Sequence, residues 1–530
     1  MQAAHPKSRA GVERGDLRAL ALQWILWAAL LASVRGLKDT YLHFAKPPEE
    51  AYAGPSLLLG ALRFWPFLVV LVPLSILPLV RWRALRWRAL PDGRALRLLV
   101  GAACLALAWE FSTYDTNLFF DQSHLLDRLL IVALALGVLL HPSLSPAFLA
   151  AALAMGVQFE QPFGGYSWTD KILPFEVLMV FVLFLQARSL FPATSSTFLL
   201  LVLAVVSAHY FYPGFNKLRE SWPLREDLGN LCACARANGW FAGLGEEGFR
   251  RIALALRSLS PVLTTVAMGI ELGAVLLLFF RRAYRVVLPA CIALHLAIFV
   301  AAGIFFWMWI VVDVGLWFAL GRLEPATREE LHGWRLRALA LFAVLTVNLW
   351  LDPMRLTWFD TPLSTTFELD ATGASGRRYR VPRSSMTPHD LTFAQGRFAF
   401  LSEEPVLVGT CGTTQDYRLA QELARATPET IAQLEAAAPS RFDPARTEAF
   451  RRFLRAYFAA WNRGGKPEGF LDWIDAPHHI WLQSAGDGLY TGQEPVREVT
   501  VVRETRYWDG ERFVPFSSRA LFSVPIPGGP

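Results

Sequence analysis

The sequence predicts a polytopic α-helical membrane bundle of about eight to eleven spans, followed by a soluble α+β C-terminal domain. Three observations predict it. Long apolar runs recur between Leu17 and Leu351, separated by short polar clusters. From Asp352 onward those runs stop. The chain is 54% hydrophobic and only 18% charged, with mean hydropathy +0.33. A soluble chain has about a quarter of its residues charged. The break divides the 530 residues into a membrane domain, 1–351, and a soluble domain, 352–530.

A spanning helix needs roughly 20 mainly apolar residues. Candidate spans lie at 19–35, 56–80, 95–111, 126–140, 144–158, 172–191, 196–213, 261–280, 286–304, 306–320 and 338–351. Several are short, which leaves room for one or two to merge or re-enter. The first follows Lys7, Arg9, Arg14 and Arg18, as a signal peptide's apolar stretch would. It runs into Arg35-Gly36-Leu37-Lys38 with no small-x-small cleavage site, so it reads as a retained helix.

Basic residues in short loops mark the cytoplasmic side. Arg81 to Arg88 holds the near repeat Trp-Arg-Ala-Leu twice, an arm suited to anionic headgroups. Arg281, Arg282 and Arg285 form a second cluster, and Arg322, Arg328, Arg335 and Arg337 a third. With these spans all three fall on the side of the basic N-terminus. The loops 36–55, 112–125, 159–171 and 214–260, and the C-terminal domain, then lie outside an inner cell membrane. The last of those loops holds seven Lys/Arg against five acids, which counts against the scheme. Within it Phe249, Ile252, Leu256 and Leu259 share one helical face, which predicts a helix lying flat in the interface.

In the C-terminal domain, Asp443-Pro444 and Thr427-Pro428 each offer an N-cap and a first-turn proline. Phe450, Phe453, Leu454, Tyr457 and Trp461 recur at helical spacing, and Gly464-Gly465 ends that helix. Tyr507 to Val514 reads as a hairpin with an Asp509-Gly510 turn, and Val499 to Val502 as a strand. No nucleophile motif, phosphate loop or metal spacing is present. His478-His479 lacks further spaced ligands and reads as a surface pair. Five cysteines are too few for a disulfide framework, and Cys232-Ala233-Cys234 has the wrong spacing for a redox or zinc site. The net charge of +6 resides in loop arginines, with no basic stripe interleaved with aromatics, which excludes nucleic acid as a partner and leaves the lipid bilayer.

Ionisable residues at membrane depth are costly and mark candidate sites. Asp121, His124 and Arg128 fall at i, i+3 and i+7, one helical face, and either neutralise one another or form a site. Lys217 closes a span within His209-Tyr210-Phe211-Tyr212-Pro213-Gly214-Phe215-Asn216-Lys217-Leu218. It either snorkels to headgroups or points inward, sheds its hydration and serves as a base near neutral pH. His295 lies ten residues into an apolar span, ahead of Gly303 and Phe305-Phe306-Trp307. Arg63, Glu271 and Asp313 also interrupt apolar runs, as paired charges or a proton or solute route.

Tyr210-Phe211, Gly214, Lys217-Leu218 and Trp222 follow the pattern Tyr-Phe-x-x-Gly-x-x-Lys-Leu-x-x-x-Trp. In this the chain, over roughly 15–350, resembles the vitamin K-dependent gamma-glutamyl carboxylases and their bacterial relatives, the horizontally transferred transmembrane (HTTM) domain proteins. It departs from them in carrying Asn216 where the carboxylase motif has a second lysine, in Pro213, and in its C-terminal domain. The resemblance implies a catalytic set of Lys217, His124 and His295, with Tyr210, Gly214 and Trp222 around the cofactor and no metal. It implies a reduced vitamin K-type quinone, menaquinol-like, with O2 and CO2 as co-substrates, and hence a lyase of the carbon–carbon class. By the resemblance, Lys217 would deprotonate the quinol and oxygen would turn it into a strong base. That base takes the γ-proton of a glutamate in a peptide or protein substrate, and the carbanion adds CO2. Two other readings stay open: a non-enzymatic membrane protein that matures or anchors a partner through its C-terminal domain, and a transporter using Glu271, Arg63 and Asp313.

Overall fold

The structure, a computed structural model, describes residues 25–26, 28–113, 119–190, 194–225, 228–354, 360–386, 389, 397–407, 416–464, 474–480 and 488–527. The basic N-terminus, residues 114–118 and Cys411 lie outside them. The chain is 66% helical, with a small C-terminal antiparallel sheet. Six helices are long and apolar enough to cross a membrane.

A helix over 28–39 passes into a π-helical turn, Thr40–Phe44. The apolar run 56–80 is broken at Arg63-Phe64 into Leu57–Leu62 and α1, Trp65–Val80. Then come α2 (Gly93–Thr113), α3 (Leu125–Leu140), α4 (Ser145–Val157), α5 (Ile172–Leu190) and α6 (Ser195–Arg219). A short α7 (Leu228–Ala237) precedes α8 (Glu246–Gly273), α9 (Tyr284–Ala302), α10 (Trp307–Gly321) and α11 (Trp334–Leu345). α2 packs against α3, α5 and α10, and α6 against α5, α8 and α11. One continuous core runs through the bundle.

Two expectations are corrected here. The stretch 249–259 is not a separate flat helix but the first turns of α8. Part of its apolar face is used by protein: Phe249 meets Trp508 of the C-terminal hairpin at 5.2 Å, and Ile252 and Leu256 pack beside it, while Leu259 is half exposed. Asp121, His124 and Arg128 do not share a helical face, because α3 begins only at Leu125. Asp121 and His124 both have left-handed backbone, φ 52° and 47°. The charges go to different tasks. Asp121 pairs with Arg463, and Arg128 donates to the Ser123 and Ser112 carbonyls.

The sheet has order β2-β1-β3-β4, from β1 (Leu363–Gly373), β2 (Arg378–Arg380), β3 (Val496–Trp508) and β4 (Phe513–Pro525), all antiparallel. The Asp509-Gly510 turn joins β3 to β4, with Gly510 at φ 99°. The long amphipathic helix α12 (Pro444–Gly464) buries Phe450, Phe453, Leu454, Tyr457 and Trp461 against the sheet. Its Asp443 cap accepts from Arg446 N–H, and Thr427 caps helix Pro428–Ala437.

The two ends of the bundle differ. At one, the basic loops meet one another: Arg281 faces Glu329, and Glu324 N–H donates to Asp92. At the other sits the C-terminal domain. It touches all four loops expected to share its side, through Arg452–Glu49, Arg463–Asp121, Arg446 to the Phe163 carbonyl, and Asn230 to the Asp360 carbonyl. The two parts also exchange residues. Phe163 of the bundle lies in the C-terminal core, while Ile480 lies in the bundle core.

Candidate functional site

A cavity of about 340 Å³ opens between α6, α8, α9 and α10, near the end of the bundle that carries the C-terminal domain. Its lining is mostly aliphatic and aromatic, with a few polar groups from His209, Tyr210, Lys217, Glu271 and His295. Ligand pockets of this size and make-up are typical of small-molecule sites.

The local sequence explains how Lys217 arrives there. Pro213 lies inside α6 and cannot bond back to the His209 carbonyl, yet the helix continues to Arg219. Gly214 then permits a close approach: a Cβ there would fall 2.8 Å from the Glu271 Cβ and 3.0 Å from Leu272 N. That proximity sets Glu271 of α8 opposite Lys217. The Lys217 ammonium and the Glu271 carboxylate form a buried ion pair, and the ring of Trp222 lies 5.1 Å from Lys217 Nζ. Lys217 therefore points inward and does not snorkel. Glu271 Oε2 and Trp222 Nε1 are buried without a partner.

The facing wall is a second polar chain. Tyr210 O–H donates to Asp313 Oδ2 at 2.6 Å, so the 2.8 Å contact with His295 must be a donation from His295 Nε2–H. That assigns the tautomer and leaves His295 Nδ1 as a bare acceptor with no partner. Trp309 stands among these groups, with ring centroids 5.5 to 5.7 Å from His209, Tyr210 and His295. His209 accepts from Met354 N–H at Nδ1, so its Nε2–H donates to Glu176 at 2.5 Å. Just before α5, the buried Lys171 is shared between Asp170 at 2.7 Å and Glu110 at 2.9 Å.

The structure thus gathers five of the six residues expected from the sequence: Lys217, His295, Tyr210 and Trp222 in the cavity wall, and Gly214 at the helix contact behind it. His124 is not with them. It is buried elsewhere and donates from Nε2 to the Tyr52 carbonyl. Its neighbour Asp127 accepts from Ser56 Oγ and from Leu57 and Leu58 N–H, holding the start of the Leu57–Leu62 helix. That corner is structural. Arg63 is exposed and lines a separate surface hollow, so it joins neither Glu271 nor Asp313.

Sequence reasoning missed the partners. Glu271 and Asp313 stood out as charges interrupting apolar runs, paired or on a proton or solute route, but not as the partners of Lys217 and Tyr210, and His209 stood out only as part of a motif. His479 is 9% exposed and not a surface residue. Cys234 is disulfide-bonded, while Cys104, Cys232 and Cys291 are free. Among the described residues no three His, Cys, Asp or Glu side chains converge to hold a metal ion. No family model, curated protein or solved structure matches the chain.

Proposed function

We propose that this chain is an integral membrane enzyme of the vitamin K-dependent carboxylase type, which takes a reduced quinone into the α6–α8–α9–α10 cavity. The observation that carries this reading is the Lys217–Glu271 pair in the wall of a largely apolar cavity. A quinol ring suits that lining. Trp222, Trp309 and Phe306 offer faces to it, and the unpartnered Glu271 Oε2 and His295 Nδ1 offer acceptors to its hydroxyls. Bound there, the quinol would supply the oxygen-driven base that removes a glutamate γ-proton.

The chain's own part is proton handling. In this reading Glu271, the buried partner of Lys217, can take up the proton that Lys217 carries. When Glu271 holds it, the Lys217 amine is free to accept a proton from a quinol hydroxyl. The aromatic walls exclude water from that transfer. Tyr210 and Asp313 fix His295 on the opposite wall.

In this reading the basic loops are cytoplasmic and the C-terminal domain lies outside. The arginine distribution supports that orientation, and so does the disulfide at Cys234 on the C-terminal domain's end of the bundle, because disulfides persist in oxidising compartments.

The test is direct. Purified full-length protein is given a reduced naphthoquinone, oxygen, labelled CO2 and a glutamate-rich peptide. Label should enter the peptide and quinone epoxide should appear. Both should vanish in Lys217→Ala and in Lys217→Arg, because a guanidinium does not give up its proton. If the wild-type protein neither consumes the quinol nor fixes label, the non-enzymatic maturation or anchoring reading replaces this one.

A further inference from the structure

Between α9 and α10 the chain leaves the helix for 303–306, with Gly303 in left-handed backbone at φ 67°. Backbone groups in such a linker have no intrahelical partners, and within a bundle they must be satisfied by protein. The partner comes from the other end of the sequence. Phe305 N–H donates to the His479 carbonyl at 2.8 Å, and the His479 Nδ1–H donates to the Phe305 carbonyl at 3.1 Å.

The neighbouring contacts show a whole segment seated in the bundle. Trp109 Nε1 donates to the Ile474 carbonyl at 2.5 Å, and Ala476 N–H donates to Thr113 Oγ1 at 2.9 Å. Ile480 is buried in the bundle core. The His479 ring lies 4.7 Å from Phe306, edge to face, and Phe306 in turn lies 5.0 Å from His295. Phe306 and Ile304 both line the cavity.

We infer that His479 is a positioning residue, by which the C-terminal region completes the cavity: it pins the 303–306 linker and, through Phe306, sets the wall beside His295. The cavity then belongs to both parts of the chain. This goes beyond the proposed chemistry and holds whatever ligand the cavity takes.

The experiment separates the hydrogen bond from simple filling of space. Ile304→Cys is introduced into the full-length protein, and its labelling by a membrane-impermeant maleimide is timed, with the modified site identified by mass spectrometry. His479→Leu fills the volume but cannot donate, whereas His479→Asn donates from its amide in place of Nδ1. Labelling should be slow in the parent, about tenfold faster with His479→Leu, and within about twofold of the parent with His479→Asn. Equal rates in the parent and His479→Leu overturn the inference. So does His479→Asn labelling as fast as His479→Leu. Should His479→Leu fail to fold, the Asn variant decides: near-parent labelling supports the clamp, and a tenfold rise overturns it. No quinone enters this test, so its outcome is independent of the carboxylation assay.

Discussion

Helices α5 and α6 bury 78% and 83% of their apolar stretches inside the molecule, whereas the stretches ending α8 and forming α9, the most apolar of the six, bury 28% and 33%. Val262, Val266 and Val300 are more than half exposed. In water this ordering runs against the hydrophobic effect, which hides the most apolar surface first. Lipid tails are as apolar as leucine, so a helix that faces them has no reason to hide. The charges are placed the opposite way. Lys171, Glu176, Lys217, Glu271 and Asp313 are all buried within protein, where intramembrane charges find partners. The cavity lies where the two halves meet, with α6 on the buried side and α8 and α9 on the exposed side. A membrane-dissolved ligand would meet it there.

The largest effect expected is at the tie between the halves. Lys217→Met or Glu271→Leu alone strands its partner, at a cost of about 3–5 kcal/mol for a fully buried pair. The double variant removes both charges and should recover most of that loss. Thermal unfolding in detergent measures it. A double variant no more stable than the worse single would show that the two side chains are not energetically coupled. Quinol-dependent labelling should remain absent in the double variant, which separates the pair's chemistry from its structural role.

Next comes the exposed apolar surface of α8 and α9. Val266→Arg places a cation mid-helix on α8, where a bilayer charges about 2.5–3.5 kcal/mol for it. Gln421→Arg, exposed on the C-terminal domain, should stay within about 0.5 kcal/mol of the parent. The readout is the yield of folded protein in the membrane fraction. Equal yields would break the contrast between the two halves, because a water-facing valine tolerates arginine.

The bundle was legible because its signal is local: apolar length and loop arginines need no tertiary information. The caps at Asp443 and Thr427 and the Asp509-Gly510 turn were legible for the same reason. The Lys217 motif was readable, but its partner was not. Glu271 lies 54 residues away, and only Gly214 between two large neighbours hints that another helix comes close. His124 misled because a helical phase was assumed before Leu125, where left-handed backbone resets it. His479 was misread because its burial depends on an unwound linker about 170 residues earlier, which no sequence period reports. The α8 face was correctly seen as apolar, but its Phe249 end packs on Trp508 of the C-terminal hairpin. Periodicity says that a face is covered, not by what.

The smallest expected effect concerns how the C-terminal domain grips the buried half. Phe163, on the loop before α5, sits in the C-terminal core 4.7 Å from the His389 ring, and Phe453 lies 5.5 Å from it. Burial alone pushes the His389 imidazole from its usual 6.5 down to about 3. The unfolded chain therefore takes up a proton near pH 6.5 that the folded chain refuses until far lower pH. Stability from this group is complete above pH 6.5 and falls as the pH drops toward 3, with a slope of about 1.4 kcal/mol per unit. At pH 5 the loss is about 2 kcal/mol. His389→Leu keeps an apolar side chain against both phenylalanines and removes the titration. Its melting temperature should drop less than the parent's between pH 7.5 and pH 5, with the two curves closest in their own pH dependence above pH 6.5. The contact of Phe249 with Trp508, on the exposed half, contains no titrating group and should not respond to acid. If the His389→Leu protein loses as much stability as the parent over that range, the acid sensitivity lies elsewhere and His389 is not what ties the domain to the buried half.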